Sequence, residues 1–162
     1  MTKLIATFFY VGLLRPAPGT WGSLAAIPAA WALHQVGGFV TLVLGTLVVF
    51  VAGWLATIAE TSASGEEDPS EIVIDEVAGM FIALWPVSYG ALMAGTDFLV
   101  LWRGVLVAFL AFRLFDIWKP GPVGLADRRG DPLGVMLDDV IAGGLASLIV
   151  VVLAAFSHLV LM

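Results

Sequence analysis

The stretch GFVTLVLGTLVVFVAGWLATIA, Gly38 to Ala59, decides the fold. It holds no charged residue, and a helix that crosses a bilayer needs about 20 mostly apolar residues. The uncharged run is longer than this stretch, because from Pro16 through Ala59 there is no Asp, Glu, Lys or Arg. One helix cannot use all of it, and HQVGG, His34 to Gly38, interrupts it with polar and flexible residues. The run therefore reads as a helical hairpin: a short arm over Trp21–Val36, spanning or re-entrant, and a full span over Gly38–Ala59.

Outward from the hairpin, Glu60 to Glu76 is an acidic loop, and Val77–Thr96 is an uncharged span in which Pro86 predicts a kink. Phe98–Phe115 returns with Arg103 and Arg113 near its two ends, where long side chains reach the interface. Asp116–Asp139 is a polar loop, and Val140 to about Leu161 makes the last span. The fold class is all-α, a polytopic helical membrane bundle of about five membrane-embedded segments in one domain over residues 1–162.

Composition agrees with this. Of 162 residues, 60% are hydrophobic and 12% charged, about half the ~25% charged content of soluble domains; the mean hydropathy is +1.04. The absence of cysteine removes disulfides, thiolate metal sites and cysteine-nucleophile phosphatases. A net charge of −6 with seven Lys and Arg argues against nucleic acid as a partner. No cleavable signal peptide is read at Met1–Leu14, since PAPGTWGS lacks an A-x-A site; Leu4–Leu14 also fits a short interfacial helix. With the N-terminus inside, Lys3, Arg15, Arg113, Lys119, Arg128 and Arg129 share one side and only Arg103 lies elsewhere. The positive-inside rule places that side in the cytoplasm, giving five crossings with the C-terminus out. Twelve of the thirteen acids fall on the same side, Asp97 being the exception.

Four charged groups stand at the edges of apolar segments: Asp75-Glu76, Arg113 with Asp116 and Lys119, Asp127-Arg128, and Asp138-Asp139. Folding would bring these edges to one interfacial layer. Adjacent carboxylates repel unless a cation sits between them, and a hard divalent metal such as Mg²⁺ takes such oxygens together with water and phosphate. Acids that open a helix are also ordinary, favourable by about 0.3–1 kcal/mol, so either pair alone reads equally well as a cap. The two pairs share a local frame, IDEVAG (Ile74–Gly79) and LDDVIAG (Leu137–Gly143), each with a glycine about one turn on that admits a helix or phosphate closely. That recurrence favours metal binding by at least one of the pairs, with Asp75, Glu76, Asp138 and Asp139 as the candidate ligands.

In RLFDIWKPGP, Arg113, Asp116 and Lys119 follow one another in steps of three along a helix face. Soluble proteins use the same spacing for exposed ion pairs before a proline stop. Beside a bilayer, Arg113 and Lys119 would hold a phosphate and Asp116 would ligate a metal, while Arg128 and Arg129 suit lipid headgroups. PAPGTWGSLAAIP, Pro16 to Pro28, sets Gly19, Thr20, Gly22 and Ser23 at a helix start, a natural anion site without the Walker pattern; a turn with Thr20 or Ser23 as N-cap accounts for it as well. His34 and His158 fall on the opposite side of the membrane. Glu66, Glu67 and Glu71 read as a solvated loop face, with Asp68 a weaker candidate.

Together PGTWGSLAAIP, IVIDEVAGM, RLFDIWKPGP and the DR…GVMLDDVIAG run, in that order, resemble the phosphatidylglycerophosphatase A family, from about Gly12 to Gly143. The resemblance implies a Mg²⁺-dependent lipid phosphatase of the bacterial inner membrane. Its substrate would be phosphatidylglycerophosphate in the cytoplasmic leaflet, and its products phosphatidylglycerol and inorganic phosphate. The family pattern falls on Gly19, Thr20, Gly22, Ser23, Asp75, Glu76, Gly79, Arg113, Asp116, Lys119, Pro120, Asp127, Arg128, Asp138, Asp139 and Gly143. It implies catalytic roles for Asp75, Glu76, Asp116, Asp138 and Asp139, and phosphate binding by Gly19, Thr20, Gly22, Ser23, Arg113, Lys119 and Arg128. Glu60 and Asp68 border a Glu- and Ser-rich stretch that departs from the pattern. Attack by water is favoured over an aspartyl-phosphate, since no D-x-D-x-T is present. The D-x-x-D-G-x-x-A-R pattern of CDP-alcohol phosphotransferases is also absent. A small cation channel or transporter is the competing reading, and it predicts ionisable groups near mid-span; here they gather at one surface.

Overall fold

A computed structural model describes residues 1–66 and 69–161. Among the described residues the regular structure is helical throughout, with no strand. A short helix α1 (Thr2–Ala6) and a 3₁₀ turn (Val11–Leu13) lead into α2 (Pro18–Ser64). At 1.5 Å per residue α2 would be about 70 Å long if straight, more than twice the ~30 Å hydrocarbon core. It folds instead at Gly37 and Gly38. Gly38 has φ 67° and ψ −148°, a region that only a residue without Cβ occupies cheaply. The two arms lie against each other, since a Cβ on Gly45 would fall 2.6 Å from Leu33 Cδ1, residues that a straight helix would hold about 18 Å apart. The hairpin read from HQVGG is present, hinged on its two glycines.

Next come α3 (Ile74–Ala83) and α4 (Trp85–Ala94), one stretch broken at Leu84. The break has a local cause: Pro86 has no N–H to give to the preceding turn, and its fixed φ suits the first turn of α4. Asp97 then caps a 3₁₀ turn (Phe98–Leu101) by accepting the Leu99 N–H at 2.8 Å, and α5 (Trp102–Trp118) follows. The chain closes with α6 (Pro122–Asp127) and α7 (Pro132–Leu161). Among the described residues, four stretches are long and apolar enough to cross a membrane: α2, Ile74–Ala94, Phe98–Trp118 and Pro132–Ser157.

Two expectations need correction. The segment Asp116–Asp139 is not a loop throughout, because α6 and the start of α7 lie within it. And α7 begins at Pro132 rather than Val140, so Asp138 and Asp139 stand in its second turn instead of opening it. The early start is built by Pro132 in the first turn and by Asp131, whose side chain accepts the Gly134 N–H at 2.7 Å.

The most enclosed element is α3. Ile74, Asp75, Val77, Ala78, Gly79, Met80, Phe81 and Ala83 are all buried there. Glycines let its neighbours close on it: Gly53 of α2 meets Ile74, and Gly143 of α7 meets the backbone of Gly79. Large apolar side chains on the outer faces, Leu47, Val48, Val51 and Leu55 among them, stay exposed, as suits a face turned to lipid. At the end of the bundle away from the acid pairs, His34 Nδ1 meets Ser88 Oγ at 2.7 Å and Gln35 donates to Asp97 at 2.6 Å. His34 and Asp97 thus lie apart from the other acids, as expected; the side chain of His158 is outside the described residues.

Candidate active site

The site begins with the N-terminal segment, which fixes where α3 starts. The Val73 N–H donates to the Ala6 carbonyl at 2.9 Å, Lys3 pairs with Glu71 at 3.0 Å, and Gly12 lies so close to the Glu71 carbonyl that a Cβ there would be 2.0 Å from its oxygen. With its entrance held, α3 presents Asp75 and Glu76 in its first turn. The helix α7 then crosses α3 backbone to backbone. A Cβ on Gly79 would lie 2.5 Å from the Asp139 carbonyl oxygen, and one on Gly143 would lie 2.2 Å from that of Gly79. This contact delivers Asp139 to the Asp75-Glu76 pair.

Carboxylate oxygens of Asp75, Glu76 and Asp139 all lie within 4.8 Å of one another. Among the described residues, Glu76 Oε2 and Asp139 Oδ1 are buried without a hydrogen-bond partner. Buried polar atoms are nearly always satisfied, and three clustered carboxylates repel one another. Oxygen donors so arranged fit a hard divalent cation. Asp116, from α5, stands against Asp139. It is ion-paired with Arg113 one turn earlier on the same helix, and Arg113 also donates to Ser23 Oγ of α2 at 3.4 Å. The Arg113 Nε is buried and has no partner among the described residues.

The first turn of α2 closes the site from the other side. Its Gly19 is packed against the Glu76 carboxylate, where a Cβ would fall 2.1 Å from Oε1. Trp21 N–H already reaches back to Ala17, which leaves the Gly19 and Thr20 N–H groups as the free donors of a helix start. The cavity so enclosed measures about 430 Å³.

Lys119 ends α5 with φ 48° and ψ 54°, a left-handed cap. Its ammonium is ion-paired with Asp127 and lies 3.0 Å from Asp138 Oδ2. Partial burial on its own would lower its pKa, but the hydrogen bonds and charges of Asp127 and Asp138 outweigh that and hold it above the usual lysine range. Among the described residues, six acids and two cations line the cavity: Asp75, Glu76, Asp116, Asp127, Asp138 and Asp139 against Arg113 and Lys119. A phosphate would meet net repulsion there without a further positive charge.

Of the residues singled out in the sequence, Gly19, Thr20, Asp75, Glu76, Arg113, Asp116, Lys119, Asp138 and Asp139 line the cavity. Gly22 and Ser23 stand behind its wall: Gly22 packs on Val73, and Ser23 donates to the Gly19 carbonyl at 2.8 Å. Arg128 is exposed and is not among the cavity-lining residues. Lys119 does not continue the Arg113–Asp116 face, because the left-handed turn swings it toward α6 and α7. Asp138 does not join the three-acid group; successive helical residues point about 100° apart, and Asp138 turns to Lys119 while Asp139 turns to α3. Asp68 lies outside the described residues. Asp127 belongs to the cavity wall as the second partner of Lys119. The sequence marked it as half of the Asp127-Arg128 group and as a position of the family pattern, without a role.

The phosphatidylglycerophosphatase A family profile matches residues 4–154. A Haemophilus influenzae protein named phosphatidylglycerophosphatase A is 35% identical over 148 residues, 91% of this chain and 85% of that protein. An Escherichia coli protein of the same name is 35% identical over 86% of this chain and 76% of its own length. A Bacteroides thetaiotaomicron protein with the provisional name phosphatidylinositol-3-phosphatase is 37% identical, covering 86% of this chain and 85% of that one. No solved structure matches.

Proposed function

Because the chain belongs to the phosphatidylglycerophosphatase A family and is a phosphatidylglycerophosphatase, we propose that Asp75, Glu76 and Asp139 hold a divalent cation, Mg²⁺, against the terminal phosphate of phosphatidylglycerophosphate. The observation that carries this is the meeting of three carboxylates within 4.8 Å, two of them with buried oxygens that no donor among the described residues satisfies. Bound there, such an ion would supply Lewis acidity toward the phosphoryl oxygens.

The chain's own residues do the rest. The Arg113 guanidinium, oriented by Asp116 and Ser23, offers its unpartnered Nε to a phosphate oxygen. The Gly19 and Thr20 N–H groups take another, with the positive end of the α2 dipole behind them. These donors are fixed before the substrate arrives, so they stabilise the charge of the transition state without reorganising. Lys119, held between Asp127 and Asp138, supplies a permanent ammonium on the far wall. Asp116 and Asp138 remain as carboxylates able to accept the proton of an attacking water. The phosphate monoester is cleaved at its P–O bond, giving phosphatidylglycerol and inorganic phosphate. The site faces the cytoplasm in the inner membrane, a placement favoured by the concentration of Lys and Arg on its side of the bundle.

A cation channel is disfavoured by the same geometry, since the acids gather at one end of the helices rather than along a path between the two. The test is phosphate release by purified protein from phosphatidylglycerophosphate, phosphatidic acid and phosphatidylinositol 3-phosphate, with Mg²⁺ or with EDTA. Release from phosphatidylglycerophosphate that stops in EDTA and returns with Mg²⁺ is the expected result. Undiminished release after complete chelation would remove the metal from the account, and preference for the inositol lipid would reassign the substrate.

A further inference from the structure

The cavity wall contains one side chain that belongs to two environments. Ile117 lines the polar cavity beside Arg113 and Asp116, yet it is 71% exposed. It ends a ridge along α5, Leu110–Leu114–Ile117, spaced by four and then three residues and so on one face. Leu110 and Leu114 are each 57% exposed, and the ridge lies within the membrane-crossing stretch Phe98–Trp118. The exposed face is therefore in hydrocarbon, and it runs without interruption to the edge of the site. The floor of the cavity offers no such route, because Asp75, Asp138 and Asp139 are buried there between α3 and α7.

A phospholipid with a phosphorylated headgroup faces a conflict at this site. Its phosphate must reach the buried acids, while withdrawing its chains from the bilayer would expose apolar surface to water at a cost proportional to chain length. Resting on the lipid-phosphatase reading, we propose that the substrate enters sideways from the bilayer past Ile117, with one acyl chain lying along Leu110 and Leu114. Arg113 stands beside that ridge on α5 and reaches across to Ser23 of α2. With Lys119 it is one of the two cations among the described residues lining the cavity that Ile117 borders.

The chain has no cysteine, so Leu114→Cys introduces a unique thiol on the proposed acyl-chain ridge. The probe is phosphatidylglycerophosphate with a thiol-reactive group on one acyl chain, presented in phosphatidylcholine vesicles, with adduct formation read by intact-protein mass spectrometry. Val48→Cys, on the exposed outer face of α2, is the lipid-facing control. We expect adduct at residue 114 to be suppressed by excess unmodified phosphatidylglycerophosphate and not by added phosphatidylcholine, with neither competitor acting selectively at residue 48. Labelling at 114 that responds to both lipids alike, or that matches residue 48, would overturn the proposal. As a second measurement, Leu110→Ala/Leu114→Ala should raise KM for the diacyl substrate about tenfold with kcat retained, the mark of lost uniform binding; an unchanged KM would also overturn it. Wild-type protein that released no phosphate from any lipid phosphomonoester would instead remove the underlying reading, and that is scored in a separate assay.

Discussion

Adding one methyl group at Gly143 should disable the site from a position that touches no substrate. A Cβ there would lie 2.2 Å from the Gly79 carbonyl oxygen, 2.9 Å from its carbon and 3.0 Å from its Cα. All three are backbone atoms of a buried helix and have no rotamer to give. Close carbon–oxygen contacts in proteins settle near 3.3 Å, so α7 must retreat from α3 by roughly 1 Å. Overpacking of this kind costs about 1–3 kcal/mol of stability. The retreat also carries Asp139 away from Asp75 and Glu76 by a comparable distance. A 1 Å misplacement at a reacting centre costs about 10²-fold in rate, equivalent to about 2.7 kcal/mol of barrier. Gly143→Ala should therefore lower kcat/KM for phosphatidylglycerophosphate by about 10²-fold and lower the unfolding temperature in detergent. The adjacent Gly144 is exposed and has nothing within 4 Å of a built Cβ, so Gly144→Ala should keep full activity and gain up to about 1 kcal/mol from helix propensity. Activity of Gly143→Ala within twofold of wild type, or an equal loss in Gly144→Ala, would refute the argument that backbone contact sets the acid cluster.

Asp138 and Asp139 are neighbours in sequence with different partners, and their Asn variants should separate: Asp139→Asn loses phosphate release by about 10²-fold or more, whereas Asp138→Asn, which leaves Lys119 paired with Asp127, loses about tenfold; equal losses would contradict the assignment. Gly38→Ala forces a side chain into φ 67°, ψ −148°, which costs about 1–3 kcal/mol; thermal unfolding should fall while specific activity of the folded fraction is kept. The Lys119 ammonium is held above the ordinary lysine pKa, so the stability it contributes is complete below the unfolded value of about 10.4 and is lost only as pH rises through the still higher folded value. The pH–rate profile of Lys119→Arg should accordingly keep the wild-type shape between pH 6 and 9, on the order of the usual assay range, and a shifted alkaline limb would show that Lys119 titrates there.

Much of this arrangement was legible from residues whose signal is local. Apolar length marks the hairpin arms and the later spans, and the glycines of HQVGG mark the bend, because a bilayer leaves a chain few alternatives to helices. The glycines one turn beyond each acid pair mark a close approach by a helix or a phosphate, and the structure fills both places with a helix, α7 against α3. What could not be read depends on azimuth and on tertiary partners. The start of α7 lies beyond the expected span because Asp138 and Asp139 interrupt the apolar run after PLGVML, although Asp131 and Pro132 together start a helix. The division of labour between Asp138 and Asp139 follows from about 100° of helical rotation relative to α3 and Lys119, which no spacing within LDDVIAG contains. Lys119 left its expected face through a left-handed turn that a non-glycine residue rarely takes. Arg128 carries the same motif as Asp127, yet only the acid turns inward.

The division of the acid cluster between α3 and α7 also sets a condition on biogenesis. Asp75 and Glu76 emerge with α3, and Asp139 follows only with α7. A ribosome-bound chain therefore carries two of the three clustered acids with α3 and acquires the third only with α7. Competence to hydrolyse lipid arrives in one step, when the terminal helix docks. Separately expressed fragments divided between α5 and α6 should each be inert and regain turnover only on reassociation in the bilayer.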